Sequence, residues 1–429
     1  MTSISINKNI NLEASATLAI NERVKEMWKN GKTVYHLGFG EARFPVHSKI
    51  QEALIENADK KSYIAVQGLP ELREAIAHYY GERLKLKFNA EQVLVAPGSK
   101  ALLFAVQLAL DADVLLVAPA WVSYEPQAQL IEKKAIIVKS NADNGFRLSF
   151  EALDEALKQC TKKKKLLIIN SPNNPTGLML EPEFLKELAE YCRKHEIIVM
   201  SDEIYGQVAH GDIPHESLAK YYPEATIIMG GLSKHLSLGG WRLGKAIIPK
   251  EMPELVNSLN AIASEIWSAA SSPIQYAALK AYSTDPDIEA YIHDCVSLHG
   301  LRTNFIWEGL TKAGIRCPKP QGAFYMMPDF NAYREALKKR AVFKSIDLAQ
   351  YLLEEHQIAS LPGKAFGLEE DDLALRLSTS FIDLEDDAKA RDILDAWQNN
   401  TPADVLLQEK HLHSHAMLKQ FEAFIASLT

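Results

Sequence analysis

The sequence predicts an α/β protein: a large domain built on a mostly parallel sheet with helices on both faces, and a smaller α+β domain after it. Three observations carry this expectation. From about residue 63 to residue 248, short continuous apolar runs alternate with helical patterns. Runs of that kind suit strands buried on both faces of a parallel sheet. After about Leu298 the texture changes to short strand-like runs separated by single helices. The chain also has 429 residues, more than one compact core usually holds.

Residues 1–47 read as an N-terminal segment that joins the smaller domain. Residues 1–12 alternate isoleucine with polar residues and lack the basic start and apolar core of a secretory signal. Residues 48–297 form the large domain. Pro70 to Leu84 reads as a helix, with Leu72, Ile76, Tyr79, Tyr80 and Leu84 at helical spacing. Val93-Leu94-Val95 predicts a strand, and Gly98-Ser99 leads into the apolar run 101–110. Further β-rich runs lie at 114–117, 135–138, 166–169, 197–200, 226–229 and 245–248. The segments between them read as helices covering the sheet.

Residues 298–398 form the smaller domain, with strands at 324–327, 358–361 and 373–377 and a helix at 345–355. Residues 399–429 read as one appended helix, capped by Thr401-Pro402-Ala403-Asp404. Its apolar stripe, Leu418, Phe421, Ile425 and Leu428, is expected to dock on the body or on a sister subunit. His411 and His415 lie four apart without a third ligand nearby, so they read as solvated rather than metal-binding.

Composition narrows the partners. Hydrophobic residues make up 47% and charged residues 24%, the balance of a soluble globular chain. The net charge of -8 argues against nucleic acid as a partner. The run Lys162 to Lys165 precedes an apolar strand and reads as its solvated start. No stretch approaches the ~20 apolar residues of a membrane span. Cys160, Cys192, Cys295 and Cys317 are widely spaced, with no Cys-x-x-Cys pair. That predicts free thiols, no zinc site and a reducing compartment, the cytoplasm.

The chemistry-bearing motifs fall at the predicted C-terminal ends of strands, where ligands gather in such sheets. The strongest is Ser233-Lys234, followed by Gly240-Trp241-Arg242-Leu243-Gly244. A lysine after a buried strand and glycine turn is either a loop-surface lysine or a desolvated amine poised to attack a carbonyl. Arg242, eight residues on, can grip a phosphate with its planar fork. Asn170-Ser171-Pro172-Asn173-Asn174-Pro175-Thr176-Gly177 makes a rigid turn that can aim an asparagine at a ligand oxygen, or serve as an ordinary strand-to-helix loop. Asp202, in Ser201-Asp202-Glu203-Ile204-Tyr205, ends an apolar strand and needs a cationic or donor partner. A protonated ring nitrogen is one such partner. Pro97-Gly98-Ser99-Lys100 opens a helix whose N-terminus can receive a phosphate. Arg376, inside Leu375-Arg376-Leu377, can bind a carboxylate with two hydrogen bonds or make a structural ion pair.

These motifs, in this order, resemble the fold-type I enzymes of the aspartate aminotransferase family, which use pyridoxal 5′-phosphate (PLP). The resemblance covers roughly residues 34–397. It implies the three-layer PLP-transferase large domain. It implies that Lys234 holds PLP as a Schiff base and shuttles the substrate proton, and that Asp202 pairs with the ring nitrogen. Tyr205 and Asn174 would hold the phenolic oxygen. Ser99, the backbone around Lys100, Ser233 and Arg242 would bind the phosphate, and Trp121 would stack on the ring. Arg376 would clamp the substrate α-carboxylate, with Gly40 beside it and Trp121 and Asn174 completing the substrate contacts. Tyr63 would reach the neighbouring subunit's phosphate site, so a homodimer with shared sites follows.

Two positions depart from the family pattern. Arg43, in Gly40-Glu41-Ala42-Arg43-Phe44, adds a positive charge near the entrance, which alters substrate preference or is a surface change. Gly231 stands where many relatives carry a serine, so one phosphate hydroxyl is expected to be missing. The implied reaction moves an amino group from an L-amino acid to a 2-oxo acid. The alternative is another PLP reaction on the same scaffold: elimination, condensation or cyclopropane formation. A regulatory domain that kept the scaffold would need a basic DNA-binding segment, and none is seen.

Overall fold

The computed structural model describes residues 16–428. The expectation for residues 1–12 lies outside them. In chain order the strands are Tyr35–His36 (β1), Val93–Ala96 (β2), Ala112–Val117 (β3), Ala135–Val138 (β4), Lys164–Asn170 (β5), Ile197–Asp202 (β6), Thr226–Gly231 (β7), Gly244–Ile247 (β8), Tyr325–Met326 (β9), Ile358–Ala359 (β10), Leu361–Pro362 (β11) and Leu375–Ser378 (β12). β2 to β8 form a seven-stranded sheet in the order β2-β8-β7-β6-β5-β3-β4. β4, β3, β5, β6 and β7 pair in parallel. β8 runs antiparallel to both of its neighbours. The run at 245–248 is therefore a strand of reversed direction. Its connection from β7 holds only a single 3-10 turn, Gly239–Trp241, and no helix to carry the chain back across the sheet.

Burial follows the period of two expected of strands. Val93, Val95 and Ile228 face one core, with Tyr79 and Tyr80 of the helix Pro70–Leu84. Leu94, Ala96, Ile227 and Met229 face the other, with Leu102 and Val106 of the helix Ser99–Ala109. Apolar residues at successive positions thus serve helices on opposite faces, which is why these runs are continuous rather than alternating.

The smaller sheets lie outside this one. β1 pairs in parallel with β10, so the N-terminal segment joins the late part of the chain. β12 lies between β11 and β9, antiparallel to both. The helix Pro286–Lys312 runs unbroken through the expected boundary at residue 298. Its first half buries Ile288, Ile292 and Leu298 against the tyrosine-rich core, and its second half buries Ile306 and Leu310 with Leu375 and Leu377. What changes at 298 is the packing partner.

The tail corrects three expectations. It is two helices, Ala403–Lys410 and Leu412–Leu428, rather than one. The cap residue is Pro402, and no side chain caps the first helix. His411 sits at the break and is buried, not solvated. Its Nδ1 bonds to the Leu406 carbonyl at 3.1 Å, and burial pushes its pKa down to about 3. His415 is half-buried, edge-on to Phe305. The apolar stripe does dock on the body: Met417, Leu418, Phe421, Phe424 and Ile425 complete the core that backs β12.

Lys245 of β8 is the costliest residue of the large sheet. It is fully buried, faces Gly230 of β7, and its Nζ lies 3.6 Å from the centre of the Tyr80 ring. Among the described residues that nitrogen has no hydrogen-bond partner. Burial brings its pKa down to about 7, against the pull of Glu203 and Asp202. Glu203 is already satisfied by the Ser201 and Ser217 hydroxyls at 2.8 and 2.6 Å. Lys245→Met keeps the side-chain length and removes the desolvated amine. It should stabilise the fold by about 1–4 kcal/mol, read as a higher unfolding midpoint in denaturant; an unchanged or lower midpoint would show that the amine is compensated.

Candidate active site

One cavity of about 340 Å³ opens at the C-terminal ends of β5, β6 and β7. Eleven of the twelve residues singled out in the sequence line it: Gly40, Ser99, Lys100, Trp121, Asn174, Asp202, Tyr205, Ser233, Lys234, Arg242 and Arg376. They arrive from seven separate stretches of chain, which only the sheet brings together.

Asp202 is the last residue of β6, and 3% of it is exposed. Tyr124 donates its hydroxyl to Oδ2 at 2.8 Å, and the Ile204 N–H donates to Oδ1 at 3.2 Å. Asn170, its neighbour across the β5–β6 pair, donates its side-chain amide to the Asp202 carbonyl at 2.7 Å. The same Asn170 accepts the Asn174 N–H at 2.7 Å, which fixes the turn after β5. Burial raises the Asp202 pKa, and the bonds from Tyr124 and Ile204 oppose it. The carboxylate is therefore gripped at both oxygens yet lacks a cation at bonding distance among the described residues.

Lys234 follows the end of β7 and donates Nζ to the Gly40 carbonyl at 2.9 Å. Burial lowers its pKa to about 8; Glu41 and Asp202 pull it up, while Arg376 and Arg242 push it down. Arg376 on β12 is buried, donates to the Gly38 carbonyl, and lies over the Tyr325 and Phe366 rings. No carboxylate pairs with it among the described residues, so the structural-ion-pair alternative falls. Lys100 likewise has no acid partner there, and its Nζ sits 4.8 Å over the Trp121 ring.

Close backbone approaches shape the cavity. A Cβ on Gly98, whose φ is +94°, would lie 2.1 Å from Nη2 of Arg242. A Cβ on Gly244 would lie 2.0 Å from the Ser99 nitrogen. These two glycines let the Arg242 guanidinium and the start of the helix Ser99–Ala109 converge on one spot. A Cβ on Gly40 would meet the Tyr325 hydroxyl at 2.2 Å.

Sequence reasoning missed Tyr124 and Tyr325. Tyr124 lies three residues after Trp121, on the helix Tyr124–Leu130, a spacing that could have flagged it. Tyr325 shares a 2.8 Å hydroxyl–hydroxyl bond with Tyr205 and donates to the Gly40 carbonyl at 3.3 Å. Inside a strand-like apolar run it carried no signal.

Three further positions lie outside the cavity wall. Tyr63 does not line the cavity of its own chain and is 95% exposed. Arg43 does not line it either. It ties the N-terminal segment to the Leu384 and Glu385 carbonyls and lies over the Phe381 ring. Gly231 faces away, into a second cavity of about 700 Å³, and a Cβ there would meet the Leu243 carbonyl at 2.6 Å. Its glycine answers to β7–β8 packing.

The residues fit PLP. A buried carboxylate without a bonded cation suits the ring nitrogen. A helix N-terminus beside Arg242 suits a phosphate. The Asn174 Oδ1, buried and without a partner among the described residues, marks a polar wall suited to a ligand donor. No group of three His, Cys, Asp or Glu that could hold a metal occurs among the described residues, and none of their helices is long and apolar enough to cross a membrane.

The comparisons with known proteins agree with one another. Residues 32–394 match the family "Aminotransferase class I and II". The chain is 35% identical to a probable aspartate/prephenate aminotransferase of Aquifex aeolicus, over 83% of this chain and 90% of that one. It is 36% identical to an aspartate aminotransferase of Geobacillus stearothermophilus, over 87% and 94%. Among solved structures it resembles the Thermus thermophilus aspartate aminotransferase with maleate, with a TM-score of 0.80 at 26% identity, covering 93% of this chain and all of that one. The chain belongs to the class I and II aminotransferases, PLP-dependent enzymes that move an amino group from an amino acid to a 2-oxo acid.

Proposed function

We propose that this transaminase acts on a dicarboxylic amino acid of the aspartate type. The observation that carries the reading is a pair of cations, Arg376 and Lys100, on the wall of one cavity with no acid partner for either among the described residues. Arg376 takes the α-carboxylate through its planar fork, and Lys100 takes the second carboxylate. The aspartate in the names of the relatives and the dicarboxylate maleate in the Thermus thermophilus structure support the same substrate class.

The remaining roles follow from position. PLP, when bound, supplies the carbonyl that captures the amine and the ring that takes up the electrons of the α-carbon. Asp202 holds the ring nitrogen protonated, with Tyr124 and Asn170 fixing its direction. Ser99, Ser233, Arg242 and the backbone at Lys100 hold the phosphate. Trp121 covers the ring face, and Tyr205 and Asn174 take the phenolic oxygen. Lys234 holds the cofactor and later moves the proton off the substrate α-carbon; burial keeps its amine available as the neutral base. Gly40 leaves room beside the carboxylate.

Tyr63, exposed on its own chain, serves the phosphate site of a second copy, so the enzyme works as a homodimer. We read residues 48–297 as the large domain and 298–398 as the small one, with 1–47 joining the latter and 399–429 appended. Four free thiols support a cytoplasmic site.

Four measurements test this. In a panel of amino donors followed by the absorbance of bound PLP, aspartate should convert the cofactor fastest. Lys100→Ala should cut kcat/KM for aspartate about ten- to a hundredfold while leaving alanine nearly unchanged; an equal loss for both would remove Lys100 from the substrate. Enzyme stripped of PLP should recapture it at a rate that rises with pH through about 8 and then levels. The sign follows because only the neutral amine attacks and its folded pKa is lowered; a rate indifferent to that range would refute Lys234 as the anchor. Sedimentation should give twice the chain mass, and Tyr63→Ala should weaken PLP binding without changing that mass. A monomer that binds PLP normally would exclude shared sites.

A further inference from the structure

A separate cavity of about 320 Å³ lies behind the active site, against the other side of Tyr124 and Asn170. These two residues line both cavities. Its body is apolar, built from Val117, Phe146, Leu148, Leu178, Met179 and Phe184. An apolar cavity of ~150 Å³ holds one benzene, so this volume takes an aromatic ring with a short chain. Its rim is acidic. Glu181, Glu183 and Glu187 stand there; Arg147 lies 3.4 Å from Glu181 and Lys186 3.8 Å from Glu183, which leaves the rim net negative. Glu183 and Glu187 are exposed on the helix Pro182–Lys194. An apolar interior under a net negative rim suits an organic cation with an apolar body.

We propose that this cavity is an effector site for an aryl-alkyl ammonium ion, whose occupancy acts on Asp202 through Tyr124 and Asn170. The connection is short. Tyr124 donates to the Asp202 carboxylate, and Asn170 donates to its carbonyl while receiving the N–H of Asn174. An occupant pressing on that shared wall changes how the carboxylate is held. The effect on the cofactor rests on the assignment of Asp202 to the ring nitrogen; binding itself does not.

The probe is N,N,N-trimethyl-2-phenylethylammonium, whose quaternary nitrogen cannot condense with PLP, titrated into the holoenzyme by calorimetry. The expected result is saturable binding, noncompetitive with the amino donor, that shifts the pH dependence of the bound PLP absorbance. Leu178→Trp fills the cavity and should weaken binding more than tenfold with basal turnover retained. The double change Glu183→Gln and Glu187→Gln, on exposed positions that leave the core intact, should weaken it about two- to fivefold and carries the test should the tryptophan variant misfold. Tyr124→Phe should keep binding and lose most of the absorbance shift. Absent binding, equal binding of 3-phenylpropionate, competition with the amino donor, or indifference to the rim change would each overturn the site. Binding with an unmoved absorbance would overturn the coupling to Asp202. An Asp202→Asn holoenzyme titrated without the probe tests the ring-nitrogen assignment separately.

Discussion

A carboxylate buried at the end of a strand is the constraint around which this molecule is arranged. Asp202 has almost no contact with solvent, and an uncompensated buried charge costs several kcal/mol. The protein meets part of that cost with fixed donors: the Tyr124 hydroxyl, the Ile204 N–H and the Asn170 grip on the adjoining carbonyl. The remainder falls to a cation that the described residues do not supply at bonding distance. An acid held in this way suits a ligand that brings a positive charge.

Lys234 experiences the same burial with the opposite sign. Desolvation that raises the Asp202 pKa lowers that of the amine, so the two groups approach neutrality from opposite directions. Neither Arg376 nor Arg242 pairs with an acid in the cavity, and their charges add to the pressure on Lys234. The cavity thus presents four cationic groups, Lys100, Lys234, Arg242 and Arg376, and two acids, Glu41 and Asp202, to whatever enters. That imbalance matches a ligand bearing a phosphate and carboxylates, and it would be an expensive arrangement for a purely structural cluster.

Glycines and the small sheets make this geometry possible at bonding distances. Gly98 and Gly244 remove the side chains that would keep Arg242 from the helix that starts at Ser99. Gly40 does the same for Tyr325. Arg376 is carried on β12, whose far side is packed by Phe421 and Phe424 of the tail. The tail therefore belongs to the support of the strand that carries Arg376, although it lies far from the other cavity residues in sequence.

The sequence alone determined the α/β class, the run of buried strands, and eleven of the residues that line the cavity. Short continuous apolar runs rich in β-branched residues suit strands covered on both sides, and a charged residue at the end of such a run is not ordinary core. It also determined Lys234, Asp202 and Arg376 as a set, because each breaks the apolar pattern around it. The tertiary structure decided what depends on distance between separate segments. The reversal of β8, the break at His411, the role of Arg43 as a tether and the turn of Gly231 away from the cavity all depend on neighbours remote in the chain. Tyr124 and Tyr325 became visible the same way: a tyrosine in an apolar stretch reads as core until the fold shows which atom its hydroxyl touches.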